Sequence, residues 1–159
     1  MFGKDIIPEI SISFTLSGID NADFDIDEIT KRIKIQPTKA RKKHEFPQVS
    51  IDAEIACDYW SFEIREACDD ISFPSKKLYN KLFDKTDIIK KLCIEQNLEV
   101  HFEVVMHLSC GTNPLNEIPR EVMSFISSFN AGLGFDLYCY NENNTLDLKS
   151  LDEILEKNN

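Results

Sequence analysis

The stretch that decides the fold is Leu98-Glu99-Val100-His101-Phe102-Glu103-Val104-Val105-Met106-His107-Leu108, in which apolar residues alternate with mostly polar ones. Successive side chains of an extended strand point to opposite faces, so the apolar set from Leu98 to Leu108 shares one face. Glu99, His101, Glu103, Val105 and His107 share the other. A strand covered on both faces would be apolar throughout. The pattern therefore predicts a sheet with helices on one face and solvent on the other.

Three further segments have strand character, and they lie before and after this stretch: Ile10–Ser17, Tyr59–Arg65 and Leu133–Tyr140. The first alternates apolar residues with hydroxyl residues, as a half-buried strand does. In the second, Trp60 is expected to be a core anchor because it is a large aromatic residue at an inward position. Some alternation in Val49–Ile55 predicts a short edge strand, which would make the sheet five-stranded.

Amphipathic periodicity predicts helices between the strands. Asp25 is expected to cap a helix that runs to Ile35. The longest helix is expected over about 75–96, with a kink near Asp84 to Asp87. A third begins at Pro119, and Gly132 and Gly134 end it. The last residues, 141–159, are expected to form a C-terminal helix whose inward side chains are Leu148, Leu151 and Leu155.

Together these elements predict an α+β fold. The simplest arrangement of these elements is a two-layer sandwich, in which helices pack on one face of a mixed sheet of four or five strands. Two β-α-β halves in one sheet make this arrangement ferredoxin-like. A chain of 159 residues is expected to form a single domain, 1–159. The sequence leaves the strand order open.

Composition narrows the classes of partner. The formal net charge is −10, which repels a phosphate backbone and would favour a basic protein, so we expect no nucleic-acid partner. The five cysteines are spread out, with no pair at zinc-ligand spacing, and are expected to be reduced. Neither a signal-peptide pattern nor a run of about 18 apolar residues is present. We therefore expect a cytoplasmic protein with no membrane partner, and no residue pattern indicates a cofactor or a bound metal.

The polar face of the sheet is the first candidate binding site. It collects amphipathic and charged side chains that suit recognition, because large amphipathic groups supply contact area at low entropic cost. An ordinary solvated sheet face would have the same pattern. The candidate residues are Arg65, His101, Glu103, His107, Asp136, Tyr138 and Tyr140.

Catalysis on this face is the alternative. His101 and His107 would lie about 20 Å apart in an extended strand, too far to share a metal ion. His101 and Glu103, about 7 Å apart, could act as acid and base if they shared a pocket with a third group. No established catalytic motif is present, so we assign no catalytic residue.

A second candidate site is the basic run that follows Pro37. A cluster of cations in so acidic a chain could bind an anionic group, although short charge runs are commonly solvated loops. The cations are Lys39, Arg41, Lys42 and Lys43. The whole segment 38–58 is expected to be the least regular part of the chain.

Several short motifs occur in a recognisable order over residues 10–140. They are Ser17-Gly18, Asp25 to Thr30, Pro37-Thr38, Trp60-Ser61, and Asp136 with Tyr138. In this order the chain resembles the bacterial domain of unknown function 4279 family. It departs from the family pattern at Lys43-His44-Glu45, where a glycine is usual. The resemblance implies no activity.

Three functions remain open at this stage. The first is a non-enzymatic protein-binding module, similar in type to the small acidic immunity proteins that neutralise a toxin. The second is an enzyme or small-molecule binder around His101 and Glu103. The third is homodimerisation through the polar face of the sheet.

Overall fold

The computed structural model describes residues 8–109, 111 and 113–140. Its strands are β1 (Glu9–Gly18), β2 (Lys39–Arg41), β3 (Tyr59–Glu66), β4 (Leu98–Ser109) and β5 (Gly132–Tyr140). Its helices are α1 (Ile26–Ile33), α2 (Gln48–Asp52), α3 (Ser72–Leu82), α4 (Thr86–Glu95) and α5 (Arg120–Ser127). The α+β class and the mixed sheet are confirmed.

The five strands form one sheet in the order β2-β3-β1-β4-β5. β1 pairs antiparallel with β3 and with β4, so the first strand of the chain becomes the centre of the sheet. β2 pairs antiparallel with β3 at one edge. β5 pairs parallel with β4 at the other edge.

Only one of the two predicted β-α-β halves has directly paired parallel strands. β3 and β4 lie on either side of β1, so the chain crosses over β1 through α3 and α4. β4, α5 and β5 form a β-α-β unit of directly paired parallel strands. β1 and β3, in contrast, are antiparallel neighbours despite α1 between them.

The core lies between the sheet and its helices. The helix-facing side chains of β1 and β4 are buried with apolar residues of α1, α3, α4 and α5. Phe14 lies at the centre, in edge contact with the rings of Trp60 and Phe102. Burial of alternate residues in β4, from Leu98 to Leu108, matches the alternation in the sequence. The predicted two-layer arrangement follows from this one-sided burial.

The prediction for segment 38–58 was wrong in its details. Val49–Ile55 is not an edge strand, because residues Gln48–Asp52 form the short helix α2 behind Pro47. The fifth strand is instead β2, inside the basic run, where Lys39 pairs with Ser61 and Arg41 with Tyr59. β2 is held beside β3 by Thr38, whose backbone N–H donates to the Ser61 carbonyl at 2.9 Å.

Helix boundaries differ from prediction at three places. Helix α1 begins after Asp25, which accepts from the Glu28 N–H at 3.0 Å, but it ends at Ile33 because Lys34 has a left-handed φ of 59°. Helix α3 begins at Ser72, three residues early, because the first turn tolerates Pro74. The predicted kink separates α3 from α4 at a 3-10 turn, Phe83–Lys85. Gly132 opens β5.

The predicted C-terminal helix, 141–159, lies outside the described residues. Among those that are described, no helix is long and apolar enough to cross a membrane.

Candidate functional site

The candidate surface is the face of the sheet that points away from the helices, which we call the open face. Strand register sets its rows of neighbouring side chains. One row runs from Lys39 through Ser61, Thr15 and His101 to Gly132. The next runs from Glu63 through Ser13 and Glu103 to Gly134, and a third runs from Arg65 through Ser11 and Val105 to Asp136. Small hydroxyl residues of β1 therefore separate two groups of larger polar side chains.

Charges on the β3 side of the open face are paired with one another. Glu63 accepts from Arg65 at 2.9 Å and lies 3.1 Å from the Lys39 ammonium, and Arg65 also reaches Glu9 at 3.4 Å. Burial opposes ionisation of Glu63, but its hydrogen bonds to Arg65 and Lys39 outweigh this and hold the pKa of Glu63 below its ordinary value. This side of the face is electrostatically compensated.

Two carboxylates on the β5 side have no such compensation. Glu103 lies between Ser13 and Gly134, and Asp136 lies beside Val105. Among the ion pairs of the described residues, neither carboxylate takes part in one. Since both are at least partly exposed, this side presents unneutralised negative charge to an approaching molecule.

Three aromatic side chains lie in the rows beyond Asp136, whereas Glu103 lies in the row before it. The His107 ring stacks on Tyr138, with centroids 5.0 Å apart and planes 11° apart. It is also nearly parallel to the Tyr140 ring at 5.8 Å, and its Nδ1 lies 2.7 Å from the Tyr140 hydroxyl. Contacts on two sides fix the imidazole, while Tyr138 remains 47% exposed. Tyr138 is thus a rigid aromatic surface open to solvent.

The His101 ring lies over two glycines of the neighbouring strand, β5. A Cβ atom at Gly134 would be 3.5 Å from the His101 Nε2, and one at Gly132 would be 3.7 Å from its Nδ1. The two glycines leave room for the imidazole to lie against the backbone of β5. The sequence pattern predicted that these glycines end a helix. Glycines two positions apart in a strand also expose one face of the backbone, and that was the signal for this arrangement.

His101 lines a cavity of about 900 Å³ at the end of the sheet where β4 extends beyond the start of β5. Thr15, Ser17 and Glu99 also line it, but Glu103 does not. The proposed acid and base therefore do not both line this cavity.

Arg65 is not part of the β5 group. Ser11 and Val105 lie between Arg65 and Asp136 in their row, which separates the two backbones by about 14 Å across three strand spacings. Of the predicted surface residues, the structure brings together His107, Tyr138 and Tyr140, with Asp136 in the adjacent row and Glu103 in the row beyond Asp136. His101 is their neighbour on β4.

The basic run is organised by an aspartate that the sequence analysis missed. Asp58 is only 2% exposed as a side chain. It accepts from the Lys42 ammonium at 2.7 Å, from the Lys43 N–H at 2.7 Å and from the Phe24 N–H at 3.2 Å. Burial opposes ionisation of Asp58, but these three donors outweigh it and hold the pKa of Asp58 below its ordinary value. The sequence gives no direct signal for this pairing, because Asp58 is 15 positions beyond Lys43.

Most of the four predicted anion-binding cations already have internal partners. Lys42 is bound to Asp58 and to the Phe24 carbonyl, and Lys39 to Glu63. Arg41 lies 4.5 Å from the centroid of Phe46 and donates to the Glu45 carbonyl. Within the described part of the chain, only the Lys43 ammonium among them has no ion pair or ring contact. The cluster stabilises its own segment more than it offers an anion site.

Three of the described cysteines, Cys57, Cys68 and Cys93, do not have the lowered pKa of a reactive thiol. Burial raises the pKa of Cys93 to about 11, and burial also raises the pKa of Cys57 and of Cys68. A thiol with a raised pKa carries little thiolate at neutral pH. No group of three or more metal-binding side chains occurs among the residues that the structure describes.

The motifs that carry the family resemblance are mostly structural. A Cβ atom at Gly18 would be 1.8 Å from the Ala22 carbonyl oxygen, so only glycine fits there. The Trp60 indole N–H donates to the Thr30 hydroxyl at 3.0 Å. Thr38 bonds the Ser61 carbonyl and accepts from the Glu63 N–H. Asp136 and Tyr138 differ from these residues, since both point outward on the open face.

The family model for the domain of unknown function DUF4279 matches residues 8–140. The chain belongs to this family. The DUF4279 match covers the whole described sheet and stops where β5 ends. Comparison with curated proteins finds no match, and comparison with solved structures finds none either.

Proposed function

We propose that this DUF4279 protein is a non-enzymatic binding module that recognises a basic protein through the β5 side of its open face. The observation that carries the proposal is the pair of uncompensated carboxylates, Glu103 and Asp136, beside the fixed aromatic group of His107, Tyr138 and Tyr140. The β3 side of the same face differs from the β5 side, because its charges are paired with one another.

Electrostatics supports a basic partner. The chain carries a net charge of −10, which accelerates association with a cationic protein at low salt. Carboxylates that already have a cation partner contribute little to such binding. Glu103 and Asp136 are free to pair with lysine or arginine, and the exposed ring of Tyr138 offers a surface on which a guanidinium can stack.

Preorganisation supports a recognition role for the aromatic group. Ordering a side chain on binding costs roughly 0.5–1.5 kcal/mol for rotamer-rich groups. The stack with His107 already orders Tyr138 and Tyr140. Tyrosine is also among the residue types that contribute most at protein interfaces.

An immunity-like role fits this class of binding, since neutralising a toxin requires a tight complex and no chemistry. We include this role in the proposal because small acidic proteins of this type often act in this way, and we also propose a cytoplasmic location. The alternative, an enzyme or small-molecule site around His101 and Glu103, has less support, because Glu103 does not line the cavity that His101 lines.

The test is capture from host extract by the immobilised full chain, followed by affinity measurement with the captured protein. The Glu103→Lys/Asp136→Lys variant reverses the two uncompensated charges. The matched control, Glu117→Lys/Glu121→Lys, makes the same change in net charge at two exposed positions away from the open face. We expect the first variant to weaken binding by at least tenfold and the control by less than threefold.

Two outcomes would overturn the proposal. One is a captured protein that both variants bind equally, because the open face would then not be the interface. The other is a homodimer detected by light scattering that Tyr138→Glu converts to a monomer, because the face would then bind a second copy.

A further inference from the structure

The helix-facing side of β5 is left uncovered in the described structure. Phe135 is 54% exposed and Leu137 is 60% exposed. Their register partners in β4, Val104 and Met106, are buried under the helices. Paired residues of neighbouring strands point to the same face, so Phe135 and Leu137 lie in the same layer as the core, at its open edge.

Helix α5 sets the boundary of this uncovered area. Its Phe125 packs against Phe102 of β4 and Tyr79 of α3. Glu121 lines a groove with Tyr79 and Phe83, and Met123 is about 200° further round the helix. Met123 is therefore on the opposite flank of α5, and it is 43% exposed. Phe135 and Leu137 form an apolar surface that we call the β5 patch.

The chain that follows β5 has a sequence suited to this patch. Nineteen residues, 141–159, come after Tyr140. Leu148, Leu151 and Leu155 fall at i, i+3 and i+7, the spacing of one helical stripe. Lys149, Ser150 and Glu153 fall on the opposite side of that helix. An isolated helix of this length is marginal in water and needs an apolar surface to pack against.

The connection is long enough to return to the patch. Five residues, Asn141 to Thr145, separate the end of β5 from Leu146, and they span up to about 17 Å when extended. Leu137 lies three residues before the end of β5, about 10 Å back along the strand. Asparagine and threonine in the connection favour a turn.

We propose that residues 146–155 form an amphipathic helix that packs on the β5 patch through Leu148, Leu151 and Leu155. Tethering favours this segment over a second copy of the chain, because a short linker holds it at millimolar effective concentration. A second copy would also bring another −10 of charge to the same edge. The segment adds a helix over β5 and leaves the open face of β5 free.

The test uses the full chain with labelled leucine methyl groups. In the wild type we expect nuclear Overhauser contacts between the methyl groups of Leu137 and those of Leu151 or Leu155. The Leu148→Asp/Leu151→Asp/Leu155→Asp variant should lose those contacts and bind a dye specific for apolar surface several-fold more strongly. The matched control, Lys149→Asp/Ser150→Asp/Glu153→Asp, introduces aspartates on the outward side and should retain the contacts.

Three results would each overturn the proposal. The first is a wild type without contacts between Leu137 and the segment. The second is a control that loses the contacts as completely as the apolar variant. The third is a mixed sample of labelled and unlabelled protein in which the contacts arise only between different copies, since the occupant of the patch would then be a second chain.

Discussion

β1 and β5 lie at different depths in one sheet and have opposite characters. The helix-facing residues of β1 are fully buried, and its open-face residues are small hydroxyls. The helix-facing residues Phe135 and Leu137 of β5 are more than half exposed, and its open face carries Asp136 and Tyr138. The first strand of the chain is thus the centre of the scaffold, and β5 is a mostly exposed edge strand among the described residues.

The same contrast holds for charge. On the side of β1 and β3, Glu63 and Asp58 are held by lysine, arginine and backbone donors. On the side of β5, Glu103 and Asp136 have no ion-pair partner among the described residues. Charges on one side of the sheet therefore stabilise the fold, whereas the two carboxylates on the other side are the ones we propose to bind a partner.

The largest expected effect comes from truncating Phe14. Its ring is fully buried between Trp60, Phe102 and Phe129, so Phe14→Ala should lower the free energy of unfolding by about 3–5 kcal/mol. Phe135→Ala on β5 should cost about half as much, about 1.5–2.5 kcal/mol, because that side chain lies at the edge of the apolar layer and not in its centre. Urea unfolding of both variants measures the difference, and equal costs would break the contrast between the strands.

Two glycine substitutions should differ in the same direction. In Gly18→Ala the new Cβ would overlap the Ala22 carbonyl oxygen, so backbone must move, at a cost of about 2–3 kcal/mol. In Gly134→Ala the new Cβ would meet His101 and backbone at ordinary contact distances of 3.5 to 3.9 Å. We expect Gly134→Ala to change stability by less than about 0.5 kcal/mol. Thermal unfolding of the two variants checks this, and a larger loss for Gly134→Ala would contradict it.

The smallest effect concerns Asp58 and depends on pH. Replacing it by asparagine weakens the hydrogen bond to Lys42, which should cost about 2 kcal/mol at pH 7. Because the pKa of Asp58 is lower in the folded protein than the value of about 3.9 in an unfolded chain, its contribution is fully present above pH 4. It is lost as the pH falls through the folded value.

Urea titrations of wild type and Asp58→Asn at pH 7 and at pH 3 measure this dependence. The difference between their free energies of unfolding should shrink at the lower pH. A gap that stays constant would show that the carboxylate contributes only through its shape. Glu121→Gln, at an exposed position with no ion pair among the described residues, serves as the control for replacing a carboxylate by an amide.

Sequence by itself determined the alternation of β4 and of Ile10–Ser17, and therefore the strands, their buried faces and the one-sided helix layer. It also placed the family motifs and the outward positions of Glu103, Asp136 and Tyr138. These results depend on neighbouring residues and on the two-residue repeat of a strand, which local sequence contains.

Only the tertiary structure decided the strand order, the edge strand in the basic run, and which charges are compensated. Lys39 and Glu63 are 24 positions apart and Lys42 and Asp58 are 16 apart, so their pairing depends on β2 lying beside β3 and on the packing of α1 and Phe24. Among the described residues, the β5 side has no compensating cation because β5 occupies the edge of the described sheet, with a strand on one side only. Pairing over such distances is a property of the fold, because it requires segments remote in sequence to meet in space.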